Sequence, residues 1–437
     1  MSIAGIIFVF AAISKLVITA IRGWNSHLGE LVANFPMYPI LQSYNPTLYS
    51  TIPKSLVWWD GVYWFYGPFY HLLYFPLTLI LPSFDVFMRS LMIIYIVILM
   101  LVLFYFVKNY GEQKKNTLFI IVFTLTFGIF ATSDLLQQKN IELIEFVLLM
   151  SALLCLEKQK FYAAGSLLCM AAMSKFLPFI FFIYLFIKPE FKNGKHKAII
   201  SYIFTFVLIV IAAHFTLGWD TYKMFQSNVA TAHGVPTLQS FLGEKAITEV
   251  SHVRGSLYTF ILSFFVKIDM TSAVPVVSYA NTNYLIPNLI YFIVCILVGL
   301  LSFLVIRKNK NDIFYDFAIL TSLMLIVFPR CNPHYYIFIL FGLYYISMVL
   351  LNSSRKLSYK KQHEFYLLGI LLVFVYLMFG GLIPFSLYDR ILSLDNKYYH
   401  YIAVYGIQGF AVFVLWSTLI TLGYRKVIKT EKELVRP

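Results

Sequence analysis

Apolar runs of membrane-crossing character recur from one end of this chain to the other. They fall at Ile3–Ile21, Val86–Val107, Thr117–Ser133, Ile141–Leu156, Ala198–Leu217, Tyr284–Ile306, Phe314–Phe328, His334–Leu351, Phe365–Pro384 and Tyr401–Leu422. A helix of about 20 apolar residues spans the hydrocarbon core of a bilayer. Only elements that satisfy their own backbone hydrogen bonds are stable there. The pattern therefore predicts an all-α integral membrane protein, a polytopic bundle of roughly 11–13 membrane helices once shorter segments are included. Composition agrees, since 60% of the 437 residues are hydrophobic and 12% charged. Mean hydropathy is +0.77, far from that of a soluble globular chain.

Basic residues orient the spans. They gather in short loops at Lys108–Asn116, Glu157–Lys160, Lys188–Lys197, Arg307–Asp312 and Ser353–His363, and in the C-terminal tail. With these loops cytoplasmic, both termini are expected in the cytoplasm. The opposite, outer side then carries two long loops, residues 22–85 and 218–283. The whole of 1–437 reads as a single polytopic domain. Phe161–Ile187 fits this alternation as two short helices meeting near Ser174–Lys175, and Gly255–Ile268 fits as a re-entrant or interfacial helix. The net charge of +14 is thus accounted for by topology, and no nucleic-acid partner is expected. The apolar N-terminus lacks a basic leader region and a small-residue cleavage site, and reads as a retained first span.

The outer helix ends and loops collect the residues capable of chemistry: Glu30, Asp60, His71, Asp134, Gln137, Gln138, Lys139, Asn140, Glu142, Glu145, Lys175, His233, Arg254, Arg330 and His334. Charges near or within spans are costly and usually face a cavity, a partner or an interface. Asp60 stands among Trp58, Trp59, Tyr63, Trp64, Tyr66, Phe69 and Tyr70, a density of Trp and Tyr suited to a membrane–water boundary. Pro68, Pro76 and Pro82 keep the following segment from forming an unbroken helix. The four cysteines have no metal-ligand spacing and read as small apolar helix residues. No cofactor is expected, and a divalent metal is left open. Phosphate-binding glycine loops, a nucleophile elbow and a zinc-protease motif do not occur.

A carboxylate at a wet mouth can deprotonate a hydroxyl. Arg and Lys can hold a phosphate leaving group as it gains charge, and aromatic rings can stack on sugar faces. The same inventory serves a transporter of lipid-linked saccharides, which needs the cations and aromatics but no base. Lys175 either takes part in such a site or extends its ammonium to the interface. Gln138 and Asn140 either contact substrate or cap the helix that follows.

Four segments carry a family likeness: Y-G-P-F-Y-H-L-L-Y-F-P-L at Tyr66–Leu77, Q-Q-K-N-I-E-L at Gln137–Leu143, Y-A-A-G-S-L-L-C-M-A-A-M-S-K-F-L-P at Tyr162–Pro178, and F-P-R-C-N-P-H-Y-Y at Phe328–Tyr336. Their order and spacing over about residues 1–350 resemble the GT-C glycosyltransferases, specifically the family 87 type that includes polyprenyl-phosphate-mannose-dependent mannosyltransferases. Gly67 departs from the family's Tyr-Pro-Pro, and Gln137 from its Gly-Gln. The resemblance implies an enzyme that moves a hexose or pentose from a polyprenyl-phosphate donor to a hydroxyl of a glycolipid or glycan acceptor. Transfer would occur with inversion on the outer face of the plasma membrane, in the making of a cell-envelope glycan. It implies a catalytic carboxylate soon after the first span, Asp60 or Glu30. Arg330, His334, Lys175 and Arg254 are the candidates for the donor phosphate. Trp59, Tyr63, Tyr66, His71, Gln138 and Asn140 are the candidates for substrate contact.

Overall fold

A computed structural model of the protein describes residues 3–25, 69, 72–73, 84–111, 114–175, 177–188, 191, 194–217, 238–248, 255–269, 276–278, 283–309, 312–353, 359–380 and 402–434. Among them six helices are long and apolar enough to cross a membrane, or seven if one bent pair counts as a single span. Shorter apolar helices cover Leu177–Ile187, Ile313–Val327 and Tyr366–Met378. The protein is an all-α polytopic membrane protein. The described strands are β1 (Lys267–Asp269) and β2 (Val276–Ser278), which pair antiparallel with Ile268 opposite Val277.

The chain forms two compact units. One comprises residues 16–102 and 133–233, the other 1–15, 103–132 and 234–437. In the first unit, α5 (Glu142–Glu157) and α6 (Phe161–Lys175) form a hairpin. Its turn is closed by Lys160 N–H donating to Cys155 O at 2.7 Å, with Gln159 in the left-handed region at φ 56. After α6 the chain makes a single 3₁₀ turn at Leu177–Phe179 and continues as α7 (Ile180–Ile187). Phe161–Ile187 is therefore two helices broken just after Lys175, at the expected place. Pro178 lies in that break, where its missing N–H and fixed φ are tolerated.

Helix α8 (Lys195–Leu217) packs along α6 at close range. Gly165 makes this possible, because a Cβ there would lie 2.1 Å from the Ala198 carbonyl oxygen. Ser166 and Ser201 hydroxyls meet at 2.7 Å, Thr205 donates to Ser166 at 2.9 Å, and Ser201 donates to Tyr162 O at 2.6 Å. Small residues with hydroxyl bonds are how helices associate in lipid, where apolar burial gives little preference for protein over tails.

Helix α3 (Lys115–Gly128) belongs to the second unit and is followed, after a 61° bend, by α4 (Phe130–Gln138), which runs into the first unit from residue 133. The sequence predicted one straight span, Thr117–Ser133. The bend frees backbone groups, and neighbours take them up. The Lys15 ammonium, on α1 (Ile3–Asn25), donates to Gly128 O, and Phe130 N–H donates to Phe379 O at 2.8 Å. Irregular backbone at membrane depth persists only with such compensation. The second unit is completed by α10 (Leu257–Ser263), α11 (Leu285–Lys308), α12 (Ile313–Val327), a 3₁₀ segment at Pro333–Phe338, α13 (Ile339–Ser353), α14 (Tyr359–Met378) and α15 (Ile407–Leu434). A short helix, α9 (Leu238–Phe241), precedes α10, and α2 (Phe84–Tyr110), which precedes α3, belongs to the first unit up to residue 102. The stretch Gly255–Ile268 is the brief helix α10 running into β1, so the expected short helix is present and the hairpin after it is an addition.

Candidate functional site

In the first unit the turn from α4 to α5 carries Gln137–Leu143. Helix α4 ends in a Schellman arrangement. Asn140 N–H donates back to Leu135 O at 3.3 Å, and Lys139 takes the left-handed conformation at φ 54. Glycine normally fills that place, since a Cβ there costs on the order of 1 kcal/mol. Lysine is used because its side chain has an internal target. The Lys139 side chain is fully buried, and its ammonium donates to Gly23 O at 2.7 Å. Gly23 lies in the last turn of α1, where free carbonyls make the helix end negative. Tyr95 on α2 donates to Lys139 O at 3.3 Å. Burial lowers the Lys139 pKa to about 8. Lys139 therefore fixes the turn, and the residues on either side of it remain for other work.

Those residues divide sharply. Gln138 donates to Asp134 Oδ1 at 2.5 Å, one helical turn back. Asn140 is 1% exposed, and neither its amide N–H₂ nor its amide oxygen has a hydrogen-bond partner. Helix α5 then opens with Glu142 and Glu145, three residues apart and so on one face. Both are 0% exposed. Negative charge suits a helix N-terminus, but the field supplies no hydrogen bonds to the oxygens. Glu142 Oε1 receives the Lys175 ammonium at 2.5 Å, with Lys175 2% exposed at the end of α6. This pair ties the start of α5 to the finish of α6. Glu145 lies within electrostatic reach of both Glu142 and Lys175, yet neither of its oxygens accepts a hydrogen bond.

In the second unit a turn at Phe328–Asn332 links α12 to the 3₁₀ segment. It is anchored on every side. Gly255 N–H donates to Cys331 O at 3.3 Å, Ser256 Oγ to Pro329 O at 2.6 Å, and Tyr336 OH to Gly255 O at 2.7 Å. The 255–256 backbone is in turn gripped by Gly409, whose N–H donates to Gly255 O at 2.6 Å. A Cβ at Gly409 would sit 2.1 Å from Leu257 N, so only glycine allows the approach. The fixed turn presents Arg330, which is half-buried. His334 is 2% exposed, one residue into the 3₁₀ segment, with its ring centroid 4.8 Å from that of Tyr335.

The expected site residues thus fall in three groups. Asp60, Glu30, Trp59, Tyr63, Tyr66, His71 and Arg254 lie outside the described residues. Lys175, Gln138 and Asn140 belong to the first unit, within one α4–α5–α6 junction. Arg330 and His334 share the anchored turn of the second unit. The sequence places Glu142 and Glu145 among the charges expected to face a cavity, a partner or an interface, and assigns them no specific role. The spacing Glu-x-x-Glu at a helix start, with a lysine at the finish of the next helix, was the available signal. Among the described residues, no group of three or more His, Cys, Asp or Glu could hold a metal ion.

The protein is an all-α polytopic membrane protein, with a buried ion pair joining two helix ends in its first unit and an arginine on an anchored turn in its second. The model of glycosyltransferase family 87 matches residues 64–329, more than half of the chain. The chain belongs to that family and is a membrane glycosyltransferase. Comparison with curated proteins returns no match.

Proposed function

We propose that the protein transfers a hexose or pentose, mannose among the candidates, from a polyprenyl-phosphate donor to a hydroxyl of a glycolipid or glycan acceptor. In this reading the acceptor oxygen attacks the anomeric carbon as the bond from that carbon to the phosphate oxygen breaks. The phosphate leaves with the electron pair, and a carboxylate takes the hydroxyl proton. Asp60 is the proposed base, with Glu30 as the alternative. A single displacement of this kind inverts the anomeric configuration.

The observation that supports a phosphate-bearing donor is Arg330 on its anchored turn. A guanidinium held by a fixed backbone offers two parallel N–H donors to phosphate oxygens. His334 and Arg254 are the proposed companions. Lys175 is engaged by Glu142 at 2.5 Å, and Arg330 is the principal cation of the proposal. The active site is proposed to face outward, with both termini cytoplasmic and the protein in the plasma membrane, contributing to a cell-envelope glycan.

The test is transfer by purified protein from polyprenyl-phosphate sugars, with the product's anomeric configuration determined. Asp60→Asn is expected to lose roughly 10²–10⁴-fold in rate while donor lipid still binds, and Glu30→Gln is its control. Arg330→Lys keeps the charge but loses the fork, and is expected to cost on the order of 10²-fold. Full transfer by Asp60→Asn and Glu30→Gln alike removes the proposed base. Movement of an intact lipid-linked saccharide across vesicles, with no change in covalent structure, would establish a transporter instead.

A further inference from the structure

We infer that Asn140 and Glu145 form a subsite for the hydroxyls of a saccharide, with Glu145 as a binding residue. The inference rests on the transferase reading above and names the part of the ligand this junction takes.

Three observations carry it. First, Asn140 and Glu145 are 1% and 0% exposed, and the Asn140 amide groups and both Glu145 oxygens have no hydrogen-bond partner. Buried polar atoms in native proteins are almost always satisfied, and each orphan costs about 1–3 kcal/mol. Four such atoms within six residues of chain mark where a partner from outside the chain belongs. Second, the charges at this junction select the partner. Among the described residues, the charges that act on Glu145 are the Glu142 carboxylate and the Lys175 ammonium, and that ammonium sits on Glu142. With that ammonium engaged, the Glu145 carboxyl suits hydroxyl groups rather than a phosphate. Third, the orphans are of both kinds. A metal ion would satisfy the oxygens and leave the Asn140 N–H₂ groups unbonded. Neighbouring hydroxyls of a sugar ring donate to a carboxylate and accept from an amide. They meet the whole set. The junction also lies inside the segment that matches the glycosyltransferase family.

The sugar could be the donor's or the acceptor's, and binding measurements on the detergent-solubilised full chain separate them. One arm compares bare polyprenyl phosphate with polyprenyl phosphates bearing mannose, glucose, galactose or arabinose. The other uses the methyl glycosides of the same sugars as acceptor mimics. Glu145→Leu and Asn140→Ala remove the orphaned groups, and Glu145→Gln serves if the leucine variant does not fold.

Wild type is expected to bind a sugar-bearing lipid about tenfold or more tighter than the bare lipid. Both variants should lose that preference while keeping bare-lipid affinity, which places the subsite on the donor. Loss confined to the methyl glycosides supports the subsite and places it on the acceptor. A sugar preference that survives in both variants overturns it, as does a wild type indifferent to sugar in both arms, because water then suffices for the orphaned groups. Failure of wild type to bind lipid phosphate in any form contradicts the donor reading instead, and the glycoside arm still reads the subsite.

Discussion

Two asparagines, one in each unit, are equally hidden, each 1% exposed. Asn288 on α11 uses its whole amide. Its oxygen accepts from Tyr258 OH at 2.5 Å, and its nitrogen donates to Ser240 O at 2.7 Å and Lys245 O at 3.0 Å. Asn140 uses none of its amide. The buried acids contrast in the same way. Asp316, 0% exposed, accepts from Asn309 at 2.8 Å, and the nearby Asp312 caps α12 through Tyr315 N–H at 3.0 Å and accepts from Tyr345 OH at 3.0 Å. Glu145, equally buried, accepts nothing. Burial alone therefore does not tell a bonded polar group from an unbonded one. The state of its hydrogen bonds does. A closed network holds the fold, while an open one costs stability until a ligand completes it.

The contrast predicts where stability resides. The largest effect should come from the ion pair of the first unit, Lys175 with Glu142. Lys175→Met leaves Glu142 buried without its cation and is expected to destabilise by about 3–5 kcal/mol. Lys175→Met with Glu142→Leu removes both charges and should recover most of that loss in a thermal or denaturant unfolding series. A double variant no more stable than the single would show that the loss does not come from stranding the Glu142 charge.

A smaller loss is expected at Asn288. Asn288→Ala removes the acceptor of Tyr258 OH, which keeps its bond from Ile247 N–H, and the donor to two carbonyls, at a cost of about 1–3 kcal/mol. Its effect should be visible without any ligand, since each partner belongs to the chain.

Much of this architecture was legible in the sequence. Apolar runs located the helices because lipid enforces backbone satisfaction span by span. The division of Phe161–Ile187 near Lys175 followed from the alternation of basic loops and is confirmed by the 3₁₀ turn at Leu177–Phe179. The bend between Gly128 and Phe130 was not legible. It has no proline, and its compensating groups, Lys15 and the Phe379 carbonyl, lie more than a hundred residues away in sequence. The β1–β2 hairpin was missed for a similar reason, because three-residue strands in an apolar stretch carry no usable period.

Site residues were legible as types but not as partners. Lys175 stood out as a charge at a helix end, and so did Glu142. Their union joins one end of a helical hairpin to the other, a tertiary fact. Lys139 was noted as a polar outer residue, and its role as a pin to Gly23 depends on a left-handed backbone that lysine rarely adopts. Arg330 was marked by its place in F-P-R-C-N-P-H. The rigidity of its turn comes from Gly255, Ser256 and Gly409.

The smallest stability effect is expected at the open junction, and it is the most telling. Asn140→Ala and Asn288→Ala should be compared by unfolding in detergent with no lipid or sugar present. The account predicts that Asn288→Ala loses about 1–3 kcal/mol, whereas Asn140→Ala stays within about 0.5 kcal/mol of wild type or gains stability. Equal losses at the two positions would contradict it, because Asn140 would then be bonded within the protein and the junction would be closed.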